Sequence, residues 1–75
     1  MNNYKNPRFG SRLNDLIITH GLSPPEFAVL MNVNQSTVYR WLNGYVPTIN
    51  MLDRIAQYFQ TDIAYLLSIT ERRSQ

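Results

Sequence analysis

Apolar residues recur along the chain at the spacing of amphipathic helices. In the first such segment they stand at positions i, i+4, i+7 and i+8, which share one face of a helix. Four more segments repeat this pattern, and no segment alternates apolar and polar residues for long enough to predict a strand. The pattern predicts an all-α fold, with five short helices around one core. The positions assigned to the core are Phe9, Leu13, Leu16 and Ile17; Phe27, Ala28, Leu30 and Met31; Val38, Trp41 and Leu42; Ile49, Leu52, Ile55, Ala56 and Phe59; and Ile63, Leu66 and Leu67.

Residues that favour helix ends separate these segments. Asn6 and Pro7 predict the start of the first helix, because Asn is a good N-cap and proline needs no amide partner at the first helical position. Gly10 is a poor helix former, so a start as late as Ser11 is also compatible with the sequence. Gly21 predicts the end of this helix, since glycine readily adopts the left-handed conformation.

The second helix has the clearest start signal in the chain. Ser23 and Glu26 fit a capping box, in which each side chain accepts a hydrogen bond from the backbone amide of the other residue. Pro24 and Pro25 fill the first two helical positions, where amides have no helical partner. The expected N-caps of the later helices are Asn34, Thr48 and Asp62.

The third segment, Asn34–Gly44, reads NQSTVYRWLNG and has two distinct faces. Val38, Trp41 and Leu42 stand at i, i+3 and i+4 and face a core. The donors and acceptors on the opposite face are Gln35, Ser36, Tyr39 and Arg40. Gly44 supplies the positive φ that ends the helix. The segment therefore predicts a short helix that presents polar side chains to a polar partner.

Only residues 32–34 separate the second and third predicted helices. Asn32 stands where a left-handed residue is needed, and Asn tolerates that conformation better than most residues. Two helices joined by three residues must cross steeply, which is the geometry of a helix-turn-helix.

From about Arg12 to Leu67 the sequence resembles the lambda-repressor-like (Cro/C1, or XRE) helix-turn-helix domains. The matching stretches are R-L at 12–13, G-L-S-x-x-E-F-A at 21–28, V-N-Q-S-T-V-Y-R-W-L-N-G at 33–44, P-T-I at 47–49, and I-A-x-x-F at 55–59 before D-I-x-x-L-L. The resemblance implies a dimer that lays its third helix, residues 35–42, in the DNA major groove. The base-reading residues that it implies are Gln35, Ser36, Tyr39 and Arg40. The phosphate contacts that it implies are Asn43, Tyr45, Thr48 and Arg12.

Some positions depart from the family's pattern. Pro24 stands where the family often has Gln, and it offers a phosphate neither a side-chain donor nor an amide. Ile17 and Leu42 stand where many members carry an Arg–Glu ion pair. Replacing both charges by hydrocarbon can be neutral or stabilising, so we expect Ile17 and Leu42 to touch.

Composition and charge limit the classes of protein. Seventy-five residues make one domain, and 44% hydrophobic residues suffice for a core. The absence of cysteine excludes disulfides and thiolate metal sites. No apolar run spans a membrane and no signal segment is present, so we expect a location in the bacterial cytoplasm or nucleoid. The net charge of +2 is a mild basic excess that is compatible with nucleic-acid binding without indicating it.

The expected organisation is a flexible N-terminal arm at residues 1–6, the helix-turn-helix domain at 7–69 and a polar tail at 70–75. With this organisation we expect no small-molecule effector domain. His20 is the only histidine, and the sequence has no glycine-rich phosphate loop and no paired carboxylates in one element. We therefore expect a non-enzyme that needs no metal or cofactor.

Two functions of different classes fit the sequence. The favoured one is sequence-specific binding of double-stranded DNA by a small phage or bacterial transcriptional regulator. It would be a Cro-like repressor that binds a palindromic operator as a homodimer. The expected dimer surface lies near the fifth helix and contains Tyr58, Tyr65 and Ile69. The alternative is a protein-interaction module on the same fold, of the antitoxin or antirepressor type, with weak DNA binding.

Overall fold

The computed structural model describes residues 4–67, and within that range the regular structure consists of α-helices. The helices are α1 (Pro7–Thr19), α2 (Pro24–Met31), α3 (Gln35–Leu42), α4 (Ile49–Tyr58) and α5 (Ile63–Leu67). The only strand-like pairing in this range is an isolated antiparallel bridge between Lys5 and Tyr45. The prediction of five short helices around one core is confirmed.

Local capping fixes most of the helix starts. The Asn6 side chain accepts hydrogen bonds from the amides of Arg8 and Phe9, at 3.0 and 3.3 Å. Ser23 and Glu26 form both halves of the capping box, at 2.8 and 3.3 Å. The side chains of Thr48 and Asp62 accept from the amides of Met51 and Tyr65, as predicted.

Asn34 is the exception among the expected caps. It is the N-cap residue of α3, but its side chain makes no capping hydrogen bond. Its backbone carbonyl accepts from the amides of Thr37 and Val38 instead. The side chain of an N-cap Asn ordinarily accepts from a first-turn amide. That expectation was wrong for Asn34, whose side chain is exposed.

The core forms where the five helices meet. Phe9, Leu13, Phe27, Val38, Ile55 and Leu66 are all 0% exposed. Two residues assigned to the core are on the surface, since Leu30 is 45% and Ile49 is 63% exposed. Leu30 lies beyond the edge of the arc that Phe27, Ala28 and Met31 bury. Ile49 is the first residue of α4 and precedes the part of the helix that packs.

Gly10 lies inside α1, which begins at Pro7 and not at Ser11. A Cβ atom at residue 10 would lie 2.5 Å from the carbonyl oxygen of Leu42 and 3.0 Å from the amide nitrogen of Gly44. The glycine weakens the helix by about 1 kcal/mol relative to alanine. The absence of a Cβ atom lets α1 contact the backbone at the end of α3. This contact offsets the poor helix propensity of Gly10, so the helix does not need to begin after it.

Residues 4–6, expected to belong to a loose arm, pair with the loop that follows α3. The amide of Asn6 donates to Gly44 O at 2.7 Å, and the amide of Val46 donates to Tyr4 O at 3.1 Å. Pro7 favours an extended conformation in the residue before it, which suits this pairing. Residues 1–3 of the expected arm and the expected tail at 70–75 lie outside the described residues.

The turn of the helix-turn-helix has the predicted left-handed residue, with Asn32 at φ 60° and ψ 47°. A second support comes from α4. Arg54 Nη2 donates to Met31 O, the last carbonyl of α2, at 3.1 Å. Nothing in the sequence near Arg54 shows that α4 reaches this turn.

Replacing Arg54 with methionine is expected to lower the free energy of unfolding by about 1 kcal/mol, because the Met31 carbonyl loses its charged donor. Methionine keeps an unbranched stem in place. Urea denaturation would measure the change. The matched control is Arg8→Met, at an exposed residue of α1. Equal loss in both variants would show that the Arg54 hydrogen bond contributes nothing.

Candidate nucleic-acid interface

The exposed face of α3 carries the side chains that the sequence analysis predicted to read bases. Val38 and Trp41 are buried, at 0% and 5% exposed, and they fix the helix against the core. Successive residues of an α-helix are about 100° apart, so the opposite arc contains Gln35, Ser36, Tyr39 and Arg40. All four are exposed.

Arg40 has a defined partner on this face. Its guanidinium carbon lies 4.7 Å from the centroid of the Tyr45 ring. The ammonium nitrogen of Lys5 lies 5.0 Å from the same centroid. Tyr45 is half-buried, while Lys5 and Arg40 are exposed. The structure therefore places two cations on one aromatic ring at the end of α3.

Asn43 and Thr48 flank this ring along the chain. Asn43 is the C-cap of α3, where its amide binds the carbonyls of Tyr39 and Arg40 and the residue is exposed. Thr48 is the N-cap of α4, and its hydroxyl oxygen accepts from the Met51 amide at 3.3 Å. That hydroxyl keeps its proton for donation to another acceptor. Both residues are accessible to a ligand.

Arg12 lies in a different setting from the other predicted phosphate contacts. Its Nη1 donates to Tyr65 O at 2.7 Å, and its guanidinium carbon lies 4.5 Å from the Tyr65 ring centroid. These contacts join α1 to α5. A phosphate contact by Arg12 stays a prediction.

The expected contact between Ile17 and Leu42 also stays a prediction. Ile17 is buried, and Leu42 is a half-buried neighbour of the same core. The Leu42 backbone meets α1 at Gly10, about 10 Å along the helix axis from Ile17. The Leu42 side chain would have to extend along α1 to reach Ile17.

Lys5 is a residue that the sequence analysis missed as part of this surface. It belongs to the stretch expected to be loose, so nothing linked it to residues 40–45. One signal was available, because Pro7 restricts the preceding residue to extended conformations that can pair with another segment. The partner segment was not readable from the sequence.

Little in residues 4–67 supports a metal site, a functional histidine or a membrane-spanning helix. No group of three His, Asp or Glu side chains in that range is arranged to hold a metal ion. The ring of His20 packs edge-on against Phe59 at 4.7 Å, and its Nδ1 lies 2.9 Å from Leu16 O. No helix in the described range is long and apolar enough to cross a membrane.

The family model of the helix-turn-helix domains matches residues 15–66, which is more than half of the chain. The chain belongs to the lambda-repressor-like (Cro/C1-type) helix-turn-helix family. Comparisons with curated proteins and with solved structures found no match. The family is one of DNA-binding regulators. In this helix-turn-helix domain the matched range contains all of α3, Tyr45 and Thr48, whereas Lys5 lies outside it.

Proposed function

We propose that this helix-turn-helix domain binds double-stranded DNA in a sequence-specific manner, with α3 in the major groove. The observation that carries the proposal is the two-sided structure of α3. Its apolar residues are buried and hold it in place, while its polar residues stand exposed along one arc. The proposal is one of binding, and it includes no catalytic step or cofactor.

The proposed base-reading residues are Gln35, Ser36 and Tyr39, with Arg40 at the edge of the set. Glutamine can bind adenine through two hydrogen bonds, at about 1–3 kcal/mol of discrimination. Serine can donate or accept, and Tyr39, 47% exposed, can contact a thymine methyl group. The proposed phosphate contacts are Asn43, Tyr45 and Thr48, which follow the helix along the chain.

The finer proposal is a Cro-like repressor of phage or bacterial origin that acts in the bacterial cytoplasm or nucleoid. It would bind a palindromic operator as a homodimer, with half-sites about one helical turn apart. One described residue of the expected dimer surface near α5 is exposed, Tyr58 at 40%. Tyr65 is half-buried, and its ring contacts the Arg12 guanidinium. Ile69 lies outside the described residues.

Selection from a random duplex pool tests the proposal. We expect enrichment of one motif, and a motif with two-fold symmetry would indicate a homodimer. The affinity for the selected duplex should fall with salt by roughly one log unit per log unit for each phosphate neutralised. A pool without enrichment, together with an affinity that does not depend on salt, would show that the domain does not bind DNA.

A specific observation favours the alternative function of a protein-interaction module. The outer face of α2 carries apolar side chains, with Val29 78% and Leu30 45% exposed. Exposed apolar patches often mark protein contacts. The substitution Val29→Lys discriminates between the two functions. It should weaken a protein complex formed through α2 and leave the affinity for the selected duplex unchanged.

A further inference from the structure

Tyr45 brings together cations from two distant parts of the chain. Lys5 Nζ lies 5.0 Å and Arg40 Cζ lies 4.7 Å from its ring centroid. Each contact is a cation–π interaction, in which the negative ring face attracts the positive group. Because both residues are exposed, their charges stay accessible while the ring restricts where they lie.

The backbone fixes this arrangement from both sides. The amide of Tyr45 donates to Arg40 O at 3.1 Å, which holds the ring near the end of α3. The pairing of residues 4–6 with 44–46 brings Lys5 opposite Tyr45. Gly44, at φ 104°, permits that pairing, since a Cβ atom there would lie 3.2 Å from Asn6 O. The ring is thus positioned before any ligand arrives.

The two charges form a local positive site. Their distances to one centroid place them within about 10 Å of each other, about one Debye length at 0.1 M salt. Within residues 4–67 neither cation has a carboxylate partner. Glu26 and Asp53 accept hydrogen bonds from Ser23 and Gln57 in their own segments. Two like charges held close together favour an anion beside them.

We propose that Lys5 and Arg40 bind adjoining phosphates of the DNA backbone, and that Tyr45 is the positioning residue that holds both cations. The inference rests on the proposed function and deepens it. Arg40 lies on the exposed arc of α3, so DNA that receives this helix brings its backbone past the Tyr45 ring. This replaces the base-reading role proposed above for Arg40: with its guanidinium on the Tyr45 ring, Arg40 holds a phosphate. Lys5 adds a contact outside the range matched by the family.

The first test compares Lys5→Gln with the wild-type domain on the selected duplex and on a random duplex. Loss of one phosphate contact should lower the slope of log K against log salt by about 0.9, and weaken binding about eightfold at 0.1 M salt. The loss should be equal for both duplexes, because phosphates carry no sequence information. The matched control, Arg8→Gln, removes an exposed cation three residues away and should change the slope less.

The second test separates the ring of Tyr45 from its hydroxyl group. Tyr45→Phe keeps the ring and removes only the hydroxyl group, so it should weaken binding clearly less than removal of the ring does. Tyr45→Leu removes the ring and should weaken binding to all duplexes about fivefold, the equivalent of one ring–cation contact. If Tyr45→Phe loses as much as Tyr45→Leu, the hydroxyl group accounts for the whole effect and the positioning role of the ring is wrong.

The outcomes distinguish this inference from the proposed function. Wild-type binding with an unchanged slope in Lys5→Gln overturns the phosphate site and leaves DNA binding intact. No wild-type binding to any duplex overturns both. Arg40→Ala gives an independent result: a uniform loss across sequences supports the phosphate site, whereas relaxed specificity at one base pair overturns it for Arg40. Circular dichroism would confirm that each variant is folded.

Discussion

The substitution Gly10→Ala is expected to lower the free energy of unfolding by about 3 kcal/mol or more, at the upper end of the cost of overpacking. The added Cβ atom would meet the Leu42 carbonyl oxygen at 2.5 Å and the Gly44 amide nitrogen at 3.0 Å. Both are backbone atoms that cannot rotate away, so α1 and α3 would have to separate. A domain of this size has a total stability of about 4–11 kcal/mol, and thermal or urea denaturation would measure the loss.

Helix propensity alone predicts the opposite result, a gain in stability for Gly10→Ala. Alanine is about 1 kcal/mol more favourable than glycine inside a helix, so a gain in stability would show that α1 and α3 do not approach as closely as described. Gly21→Ala is the control. Gly21 has φ 71° and open space around its Cβ position. Alanine there should introduce only left-handed strain, which lowers the free energy of unfolding by about 1–2 kcal/mol.

The substitution Phe27→Ala should have the other large effect, a loss of about 3–5 kcal/mol. Phe27 is 0% exposed, and its ring contacts side chains from two other parts of the domain. The ring centroid lies 5.4 Å from that of Phe59 and 6.3 Å from those of Trp41 and Tyr58. Its removal leaves a cavity between α2, α3 and the end of α4. DNA binding should then be lost with the fold, as measured by denaturation and duplex titration in parallel.

Two further variants show whether the cavity causes this loss. Phe27→Leu keeps most of the volume and should cost clearly less than Phe27→Ala. Val29→Ala, two residues along the same helix, removes methyl groups from a side chain that is 78% exposed and should cost only a few tenths of a kcal/mol. A loss in Val29→Ala comparable to that in Phe27→Ala would mean that the exposed face of α2 also contributes to stability.

The features that could be predicted from the sequence depend on residues close together in the chain. The capping box needs Ser23 and Glu26, three positions apart, and both of its hydrogen bonds are present. The left-handed turn needs only Asn32 and the short connection around it. The two faces of α3 follow from the spacing of Val38 and Trp41. Helical periodicity and capping chemistry are local, so one sequence was enough to place these elements.

The features that could not be predicted depend on packing between distant residues. Gly10 looked like a weak point in a helix, because its contact with Leu42 is made 32 positions away. Lys5 looked like part of a loose arm, because its partner Tyr45 lies 40 positions away. Leu30 looked apolar enough to be buried, but the surface that a short helix buries depends on which helices reach it. These contacts become visible only when all five helices are placed.

The hydrogen bonds of Asn6 connect the N-terminal end of the described chain with residues that are synthesised much later. Its side chain caps α1 and donates to Leu67 O at 3.0 Å, and its amide donates to Gly44 O. A chain that has left the ribosome only as far as residue 60 contains the residues of α1 to α4, but it lacks Leu67, the last acceptor of that side chain. Closing a ring of 61 residues costs more chain entropy than forming a local helix, so we expect the two ends of the described chain to join after the helices have formed. The N-terminal segment beside Tyr45 therefore reaches its final hydrogen bonding only when α5 has been made.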